Sequence, residues 1–229
     1  MSARREARLE ALLVDHGGVL TTPITTSFAA FCIATGVGPD RLRDVLAAAY
    51  AVDPTGRQDG ASPDGPGSLV AALELGRIDV VEFDRMLAHW LSQGLPEPLE
   101  PEDLSARMFA GLRPDDRMRG AVAEARRRGF RTAMVSNTWG LRPMEDGLGE
   151  LFDGVILSGV EGVRKPFPEI FLLAATRLGV APEACVFVDD IRANVEGARA
   201  VGMAAVLHRD VAITLPRLEK LLGVRLSRP

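Results

Sequence analysis

The sequence predicts an α/β protein in which a Rossmann-like parallel sheet is interrupted, after its first strand, by an all-α segment. Two observations predict the sheet: short apolar runs alternate with helical patterns, and four of these runs end in polar residues. The third observation is that residues 22–108 contain almost no β-branched runs but have apolar residues at helical spacing. The 229 residues suffice for both parts.

Five apolar runs are the predicted strands. Each run is continuous rather than alternating, which is typical of parallel strands that are covered on both faces. In chain order the strands are Ala11–Val14, Thr132–Val135, Gly154–Leu157, Cys185–Val188 and Ala204–Leu207. The helices predicted between and after the later strands are Asp115–Arg128, Pro168–Leu178, Asn194–Val201 and Leu215–Leu222.

The interrupting segment has four stretches with helical periodicity. They are Phe28–Cys32, Leu42–Ala49, Leu69–Leu73 and Val80–Leu91. Asp79 is predicted to cap the fourth helix, with Glu82 as its capping-box partner. Residues 53–67 are rich in Gly and Pro and predict a mobile loop. We therefore predict one domain from residues 1–21 and 109–229 and a second, helical domain from residues 22–108.

The composition argues against several classes of function. A formal net charge of -4 provides no basic surface for nucleic acid. Cys32 and Cys185 are far apart in sequence, which suggests neither a disulfide framework nor a metal site. No stretch approaches the ~18 apolar residues of a membrane span, and no signal peptide is visible. We expect a cytoplasmic monomer or homodimer without nucleic-acid or membrane partners.

Polar residues at the carboxyl ends of parallel strands share one edge of the sheet, which is where α/β proteins bind ligands. The residues that this rule selects are Asp15, Ser136, Asn137, Asp189 and Asp190. Three carboxylates at one edge repel each other unless they are neutralised or partly protonated. A hard cation is the simplest solution, and oxygen ligands suit Mg²⁺, which also attracts phosphate. Lys165, one of two lysines among 27 basic residues, follows the third strand and can bring a positive charge there.

Four ordered segments resemble the motifs of the haloacid dehalogenase (HAD) superfamily. They are Asp15–Leu20, Val135–Asn137, Arg164–Phe171 and Val186–Glu196. A helical insert after the first motif resembles the subfamily in which a helical cap closes over the active site. This resemblance covers nearly the whole chain and implies a hydrolase, most simply a phosphatase.

The resemblance also implies roles for the selected residues. Asp15 would be the nucleophile that forms an aspartyl-phosphate, while Ser136 and Lys165 would bind the phosphoryl group with the support of Asn137. Mg²⁺ would be held by Asp15, the backbone carbonyl of Gly17, Asp189 and Asp190. The implied substrate is a small phosphorylated molecule.

The chain departs from this family at Gly17. Phosphatases of the family usually carry there a second aspartate, which protonates the leaving alcohol and later activates water, and glycine can do neither. The loss of a general acid/base costs ~10²–10⁴-fold in rate. Three interpretations stay open: a slow phosphatase, an enzyme for good leaving groups such as acyl phosphates, or one that takes its acid from the cap, the substrate or His16.

The sequence thus favours a Mg²⁺-dependent HAD-type phosphatase of weakened activity, with two alternatives. The first is a metal-independent carbon–halogen hydrolase, in which the second aspartate is also absent. The pair Asp189 and Asp190 argues against it, because an anionic pair beside the nucleophile favours a bound cation. The second alternative is a regulatory protein that binds phosphate and metal without turnover.

Overall fold

The computed structural model describes residues 8–50, 69–140 and 147–226. Within these ranges, five parallel strands form one sheet in the order β3-β2-β1-β4-β5. The strands are β1 Ala11–Val14, β2 Arg131–Ser136, β3 Gly154–Leu157, β4 Cys185–Asp189 and β5 Ala204–Leu207. Helices surround this sheet, so the predicted α/β, Rossmann-like fold class is confirmed.

The described residues also form ten α-helices. They are α1 Ile24–Thr35, α2 Pro39–Tyr50, α3 Leu69–Glu74, α4 Val80–Ser92, α5 Leu104–Phe109, α6 Asp116–Arg127, α7 Ser158–Glu161, α8 Pro168–Leu178, α9 Arg192–Ala200 and α10 Val211–Leu222. None of them has the length and apolar character needed to cross a membrane.

The apolar strands of the sheet are covered on both faces. Leu12 and Val14 of β1 point to a core that includes residues of α6 and α10. Ala11 and Leu13 belong to the opposite core, which includes residues of α8 and α9. β1 lies in the middle of the sheet, between β2 and β4, and all four of its residues are fully buried. This burial on both sides explains why its sequence is a continuous apolar run.

The helices α1–α5 lie between β1 and β2 in the chain and share a separate apolar core around residues such as Phe31, Phe83 and Met108. Asp79 caps α4 as predicted, because its Oδ1 accepts a hydrogen bond from the Glu82 backbone N–H at 2.7 Å. The division into two domains stays a prediction, and its boundary between residues 108 and 109 falls inside α5. The predicted mobile loop at 53–67 lies outside the described residues.

Some short elements differ from the sequence-based expectation. The six-residue α5 and the four-residue α7 were not predicted, because neither is long enough to show a helical period. α10 begins at Val211, four residues before the predicted start, because Asp210 caps its first turn through a 2.6 Å hydrogen bond to the Ala212 N–H. Pro216 therefore lies inside this helix.

Candidate active site

The carboxyl edge of the sheet brings the three predicted acidic residues together. Asp15 directly follows β1, Asp189 ends β4 and Asp190 follows it. The backbone N–H of Asp15 donates to the Val188 carbonyl at 2.9 Å, which extends the pairing of β1 with β4 to the site. One carboxylate oxygen from each aspartate lies within 4.8 Å of the other two. The predicted acidic cluster therefore exists in the fold.

Lys165 lies among these carboxylates. Its Nζ donates to Asp15 Oδ1 at 2.6 Å and to Asp189 Oδ2 at 2.7 Å, and the residue is only 2% exposed. Burial on its own lowers the pKa of a lysine, but the two carboxylates outweigh it and raise the pKa of Lys165 above its usual value. The ammonium group is therefore charged and bridges two of the three aspartates.

One lysine does not neutralise three carboxylates. Burial raises the pKa of Asp15 to about 7, although Lys165 opposes this rise. Burial, together with the neighbouring charge of Asp189, raises the pKa of Asp190 to about 6. These two shifts show that the protein alone stabilises the ionised cluster poorly, which is the electrostatic condition of a cation site.

Asp189 and Asp190 differ in how far their oxygens are already used. Asp189 Oδ1 accepts from the Ile191 N–H at 2.7 Å, and Asn194 Nδ2 lies 3.1 and 3.0 Å from Oδ1 and Oδ2. Asp190 Oδ1 is buried and has no hydrogen-bond partner among the described residues. A buried carboxylate oxygen without a donor beside two further carboxylates fits a hard divalent cation such as Mg²⁺.

The second predicted motif lies at the end of β2. Ser136 is buried, and within the described residues its hydroxyl makes only a long 3.5 Å contact with the Asn137 carbonyl, which leaves this donor available. The Asn137 side chain instead binds the backbone of Lys165: its Oδ1 accepts from the Lys165 N–H at 2.9 Å, and its Nδ2 donates to the Lys165 carbonyl at 3.0 Å. Asn137 thus fixes the segment that carries the lysine.

Gly17 and Gly18, which follow Asp15 closely in the chain, have different surroundings. Gly18 has a φ of 77°, which disfavours any residue with a side chain. A Cβ on Gly18 would also collide with the Asp190 carboxylate, so a side chain is excluded there for two reasons. The φ of Gly17 lies outside the left-handed region, but a Cβ at this position would lie 2.8 Å from Ile24 Cδ1. The tip of Ile24, the first residue of α1, therefore occupies the space that a side chain at position 17 needs.

Two charged residues of the site were not singled out by the sequence analysis. Glu74, at the end of α3, is 2% exposed and forms a buried ion pair with Arg164, which is 5% exposed. Glu74 Oε2 also accepts from Asn137 Nδ2 at 3.0 Å. The available signal was that Glu74 is the only charged residue in the apolar stretch Leu69–Leu75.

The acidic cluster and the buried lysine lie at the carboxyl ends of parallel strands, which is where α/β proteins bind ligands, and titratable groups with perturbed pKa values are typical of functional sites. A family model described as haloacid dehalogenase-like hydrolase matches residues 9–202. The chain therefore belongs to the haloacid dehalogenase-like hydrolases.

Proteins of similar sequence include phosphatases. The chain is 37% identical over 133 residues to "Phosphatase MT3486" of Mycobacterium tuberculosis, a match that covers 56% of this chain and 60% of that protein. It is 32% identical over 139 residues to "Bifunctional epoxide hydrolase 2" of Rattus norvegicus, with 57% of this chain covered. The match spans only 25% of the length of the rat protein.

Solved structures share the fold over most of the chain. A predicted HAD-like hydrolase of Porphyromonas gingivalis has a TM-score of 0.69 at 23% identity, covering 94% of this chain and 98% of that one. A HAD family enzyme of Bacteroides thetaiotaomicron, solved with magnesium and inorganic phosphate, has a TM-score of 0.60 at 18% identity and covers 88% of this chain and 94% of its own. At these identities the likeness shows the shared fold.

Proposed function

We propose that the protein is a Mg²⁺-dependent phosphatase that acts on a small phosphorylated molecule through an aspartyl-phosphate on Asp15. The observation that carries this proposal is the bridge from Lys165 to Asp15 and Asp189, beside Asp190 Oδ1, which has no hydrogen-bond partner in the described part of the chain. Such a bridge presents a nucleophilic carboxylate, a cation for phosphoryl oxygens and an oxygen ligand for a metal at one edge of the sheet. The phosphatase relatives support the same chemistry.

The residues have separate roles in this reaction. Asp15 attacks phosphorus through a carboxylate oxygen while the bond from phosphorus to the leaving group breaks, and water then hydrolyses the aspartyl-phosphate to inorganic phosphate and free Asp15. Asp15 must be ionised for the attack, and the contact with Lys165 favours that form. Lys165 exchanges part of its contact with Asp15 for the phosphoryl oxygens, which carry more charge in the transition state. Ser136 donates its hydroxyl to another phosphoryl oxygen. Asn137 keeps Lys165 in place through the two backbone hydrogen bonds.

The acidic cluster suits Mg²⁺, which would be held by Asp15, the Gly17 carbonyl and Asp190. Asp189 would assist mainly as an orienting residue, because both its oxygens already accept hydrogen bonds from the protein. When bound, the metal would neutralise the developing charge of the phosphoryl group. The Bacteroides enzyme of the same fold, solved with magnesium and phosphate, supports this choice of metal.

Gly17 restricts the substrates on which this chemistry is fast. No side chain at position 17 can protonate the leaving group, and the neighbouring space holds the apolar tip of Ile24. The missing acid/base costs ~10²–10⁴-fold for alcohol leaving groups, which need a proton as the P–O bond breaks. When the P–O bond breaks, an acyl phosphate releases a carboxylate and an activated aryl phosphate releases a phenolate, and both are stable anions that need no proton from the enzyme. We therefore propose that substrates of this kind are turned over best.

The test is a steady-state assay with p-nitrophenyl phosphate and acetyl phosphate, in Mg²⁺ and in excess EDTA. We expect turnover in Mg²⁺ only, and none for Asp15→Asn, whose folding is verified by circular dichroism. Activity that survives in EDTA or in Asp15→Asn would contradict the proposal. Phosphate and Mg²⁺ binding without turnover of either substrate would instead support a regulatory binding protein.

A further inference from the structure

We propose that Glu74, the last residue of α3, is a positioning residue that connects this helix to Lys165, the proposed phosphoryl-binding lysine. The inference rests on the function proposed above, because it concerns the placement of Lys165. Glu74 touches neither Asp15 nor the acidic cluster in the hydrogen bonds and ion pairs of the described residues. Its effect passes through Asn137 and Arg164.

A short chain of hydrogen bonds leads from Glu74 to the nucleophile. Glu74 Oε2 accepts from Asn137 Nδ2 at 3.0 Å. The same amide holds both the N–H and the carbonyl of Lys165, whose Nζ lies 2.6 Å from Asp15 Oδ1. Glu74 also pairs with Arg164, the residue before Lys165, so it holds the lysine segment at two adjacent points.

The charges of Glu74 and Arg164 make this connection dependent on the packing of α3. Both side chains are almost completely buried, and a buried charge without its partner is strongly unfavourable. Burial raises the pKa of Glu74, an effect that Arg164 partly offsets. If α3 moves away from the sheet, Arg164 and Asn137 lose their shared acceptor, and the Lys165 segment loses that restraint.

A second close contact holds α3 in the same place. Gly76, two residues after Glu74, has a φ of 68°, and a Cβ there would lie 2.5 Å from the Gly159 carbonyl of α7. The backbone therefore approaches as closely as only glycine permits. Since α7 follows β3 and precedes Lys165, this contact and the Glu74 network connect α3 to the same part of the protein.

A positioning role and a purely structural role predict different measurements. If Glu74 only stabilises the fold, its loss lowers the melting temperature, but the folded molecules bind phosphate and turn over substrate normally. If it positions Lys165, the folded variant binds inorganic phosphate more weakly and shows a higher KM and a lower kcat. Perturbing a residue that orients a ligand of the site typically costs about 10–100-fold.

The test compares Glu74→Gln with Glu124→Gln. Glu124 is a matched control because it is also a buried carboxylate paired with arginines, Arg127 and Arg128, but it lies near the C-terminal end of α6. That end leads into the start of β2, which lies at the amino ends of the parallel strands, opposite to the acidic cluster. The affinity for inorganic phosphate in Mg²⁺ is measured by calorimetry, and kcat and KM are measured with p-nitrophenyl phosphate. All measurements are made well below the melting temperature of each variant.

We expect Glu74→Gln to weaken phosphate binding about tenfold or more, and Glu124→Gln to leave it unchanged. Equal phosphate affinity in Glu74→Gln and the wild type would overturn the positioning role. If Glu74→Gln does not fold, Glu74→Gln combined with Arg164→Gln removes both charges and provides the same comparison. Wild-type protein that binds phosphate without hydrolysing either substrate would overturn the proposed function but not this inference.

Discussion

Replacing Lys165 by methionine tests the electrostatics of the site most directly. Methionine is one atom shorter than lysine and keeps most of its apolar stem, but it lacks the charged ammonium group and its N–H donors. Three carboxylates with oxygens within 4.8 Å of each other then lose the cation that bridges two of them. In EDTA we expect Lys165→Met to have a much lower unfolding free energy than the wild type. In Mg²⁺ we expect this difference in unfolding free energy to become substantially smaller.

The magnitude follows from the two short contacts. At an effective dielectric constant of about 20, a charge pair at these separations is worth about 6 kcal/mol, so two contacts give about 12 kcal/mol. Most of this offsets the cost of burying the ammonium and the carboxylates. Removing one partner from a buried pair costs about 3–5 kcal/mol in unfolding free energy. In a protein of this size that corresponds to a melting temperature lower by about 6–20 °C.

Mg²⁺ should act more strongly on the variant than on the wild type. A ligand at one hundred times its dissociation constant adds about 2.7 kcal/mol to the stability of the state that binds it. The variant site is more negative by one charge, so its affinity for a divalent cation should be higher. The variant should not hydrolyse p-nitrophenyl phosphate even in Mg²⁺, because it lacks the ammonium group that we propose as a donor to the phosphoryl oxygens.

The assay is thermal unfolding of wild type and Lys165→Met by circular dichroism, in EDTA and in saturating Mg²⁺. Lys220→Met is the matched control, since Lys220 is the other lysine of the chain and lies exposed on α10. We expect its stability to change by less than about 0.5 kcal/mol. A Lys165→Met variant that is as stable as the wild type in EDTA, or that gains no more stability from Mg²⁺ than the wild type does, would contradict this prediction.

Three further predictions concern neighbouring parts of the site. Gly17→Asp should raise kcat/KM for alkyl phosphates, and the gain should be larger in the double variant with Ile24→Val than in Gly17→Asp alone, because Ile24→Val removes the methyl group 2.8 Å from the new Cβ. A double variant no faster than Ile24→Val alone would show that the missing acid is not limiting. Asn194→Ala should weaken Mg²⁺ binding about tenfold or less by calorimetry, because it loosens Asp189, which supports the site without holding the metal itself. An unchanged affinity would contradict that supporting role. In EDTA, the unfolding free energy should fall as the pH rises from about 4 to 7, because the folded state holds the protons of Asp15 and Asp190 more tightly than the unfolded state does. Their pKa values in the folded protein are about 7 and about 6, above the ordinary 3.8. Denaturant titrations at several pH values measure this decline, which should be absent in Mg²⁺.

Much of the fold was predictable because its signals are local. The run Ala11–Val14 is apolar at every position, which reflects burial on both faces of a central strand. Asp15 and Asp189 could be placed together from the sequence alone, because parallel strands bring their carboxyl ends to one edge. The insert was recognisable from its helical period, whereas α5 and α7 are too short to show one.

The contacts that shape the site were not predictable in the same way. Glu74 and Arg164 are 90 residues apart, and no periodicity relates a helix end to a loop after another strand. The position of Ile24 over Gly17 depends on how α1 packs after the first turn. Asp189 and Asp190 differ in their hydrogen bonds, because donors from Lys165 and from the start of α9 reach both carboxylate oxygens of Asp189.

The sequence by itself therefore determined the class of fold, the edge of the sheet that carries the site, and the residue types available there. The tertiary structure decided that Asp190 Oδ1 meets no donor from the described residues, what fills the space beside Gly17, and that Glu74 is bound to the lysine segment. The physical reason is that strand and helix patterns arise from neighbours along the chain, whereas the partner of a buried charge is chosen by packing between distant segments.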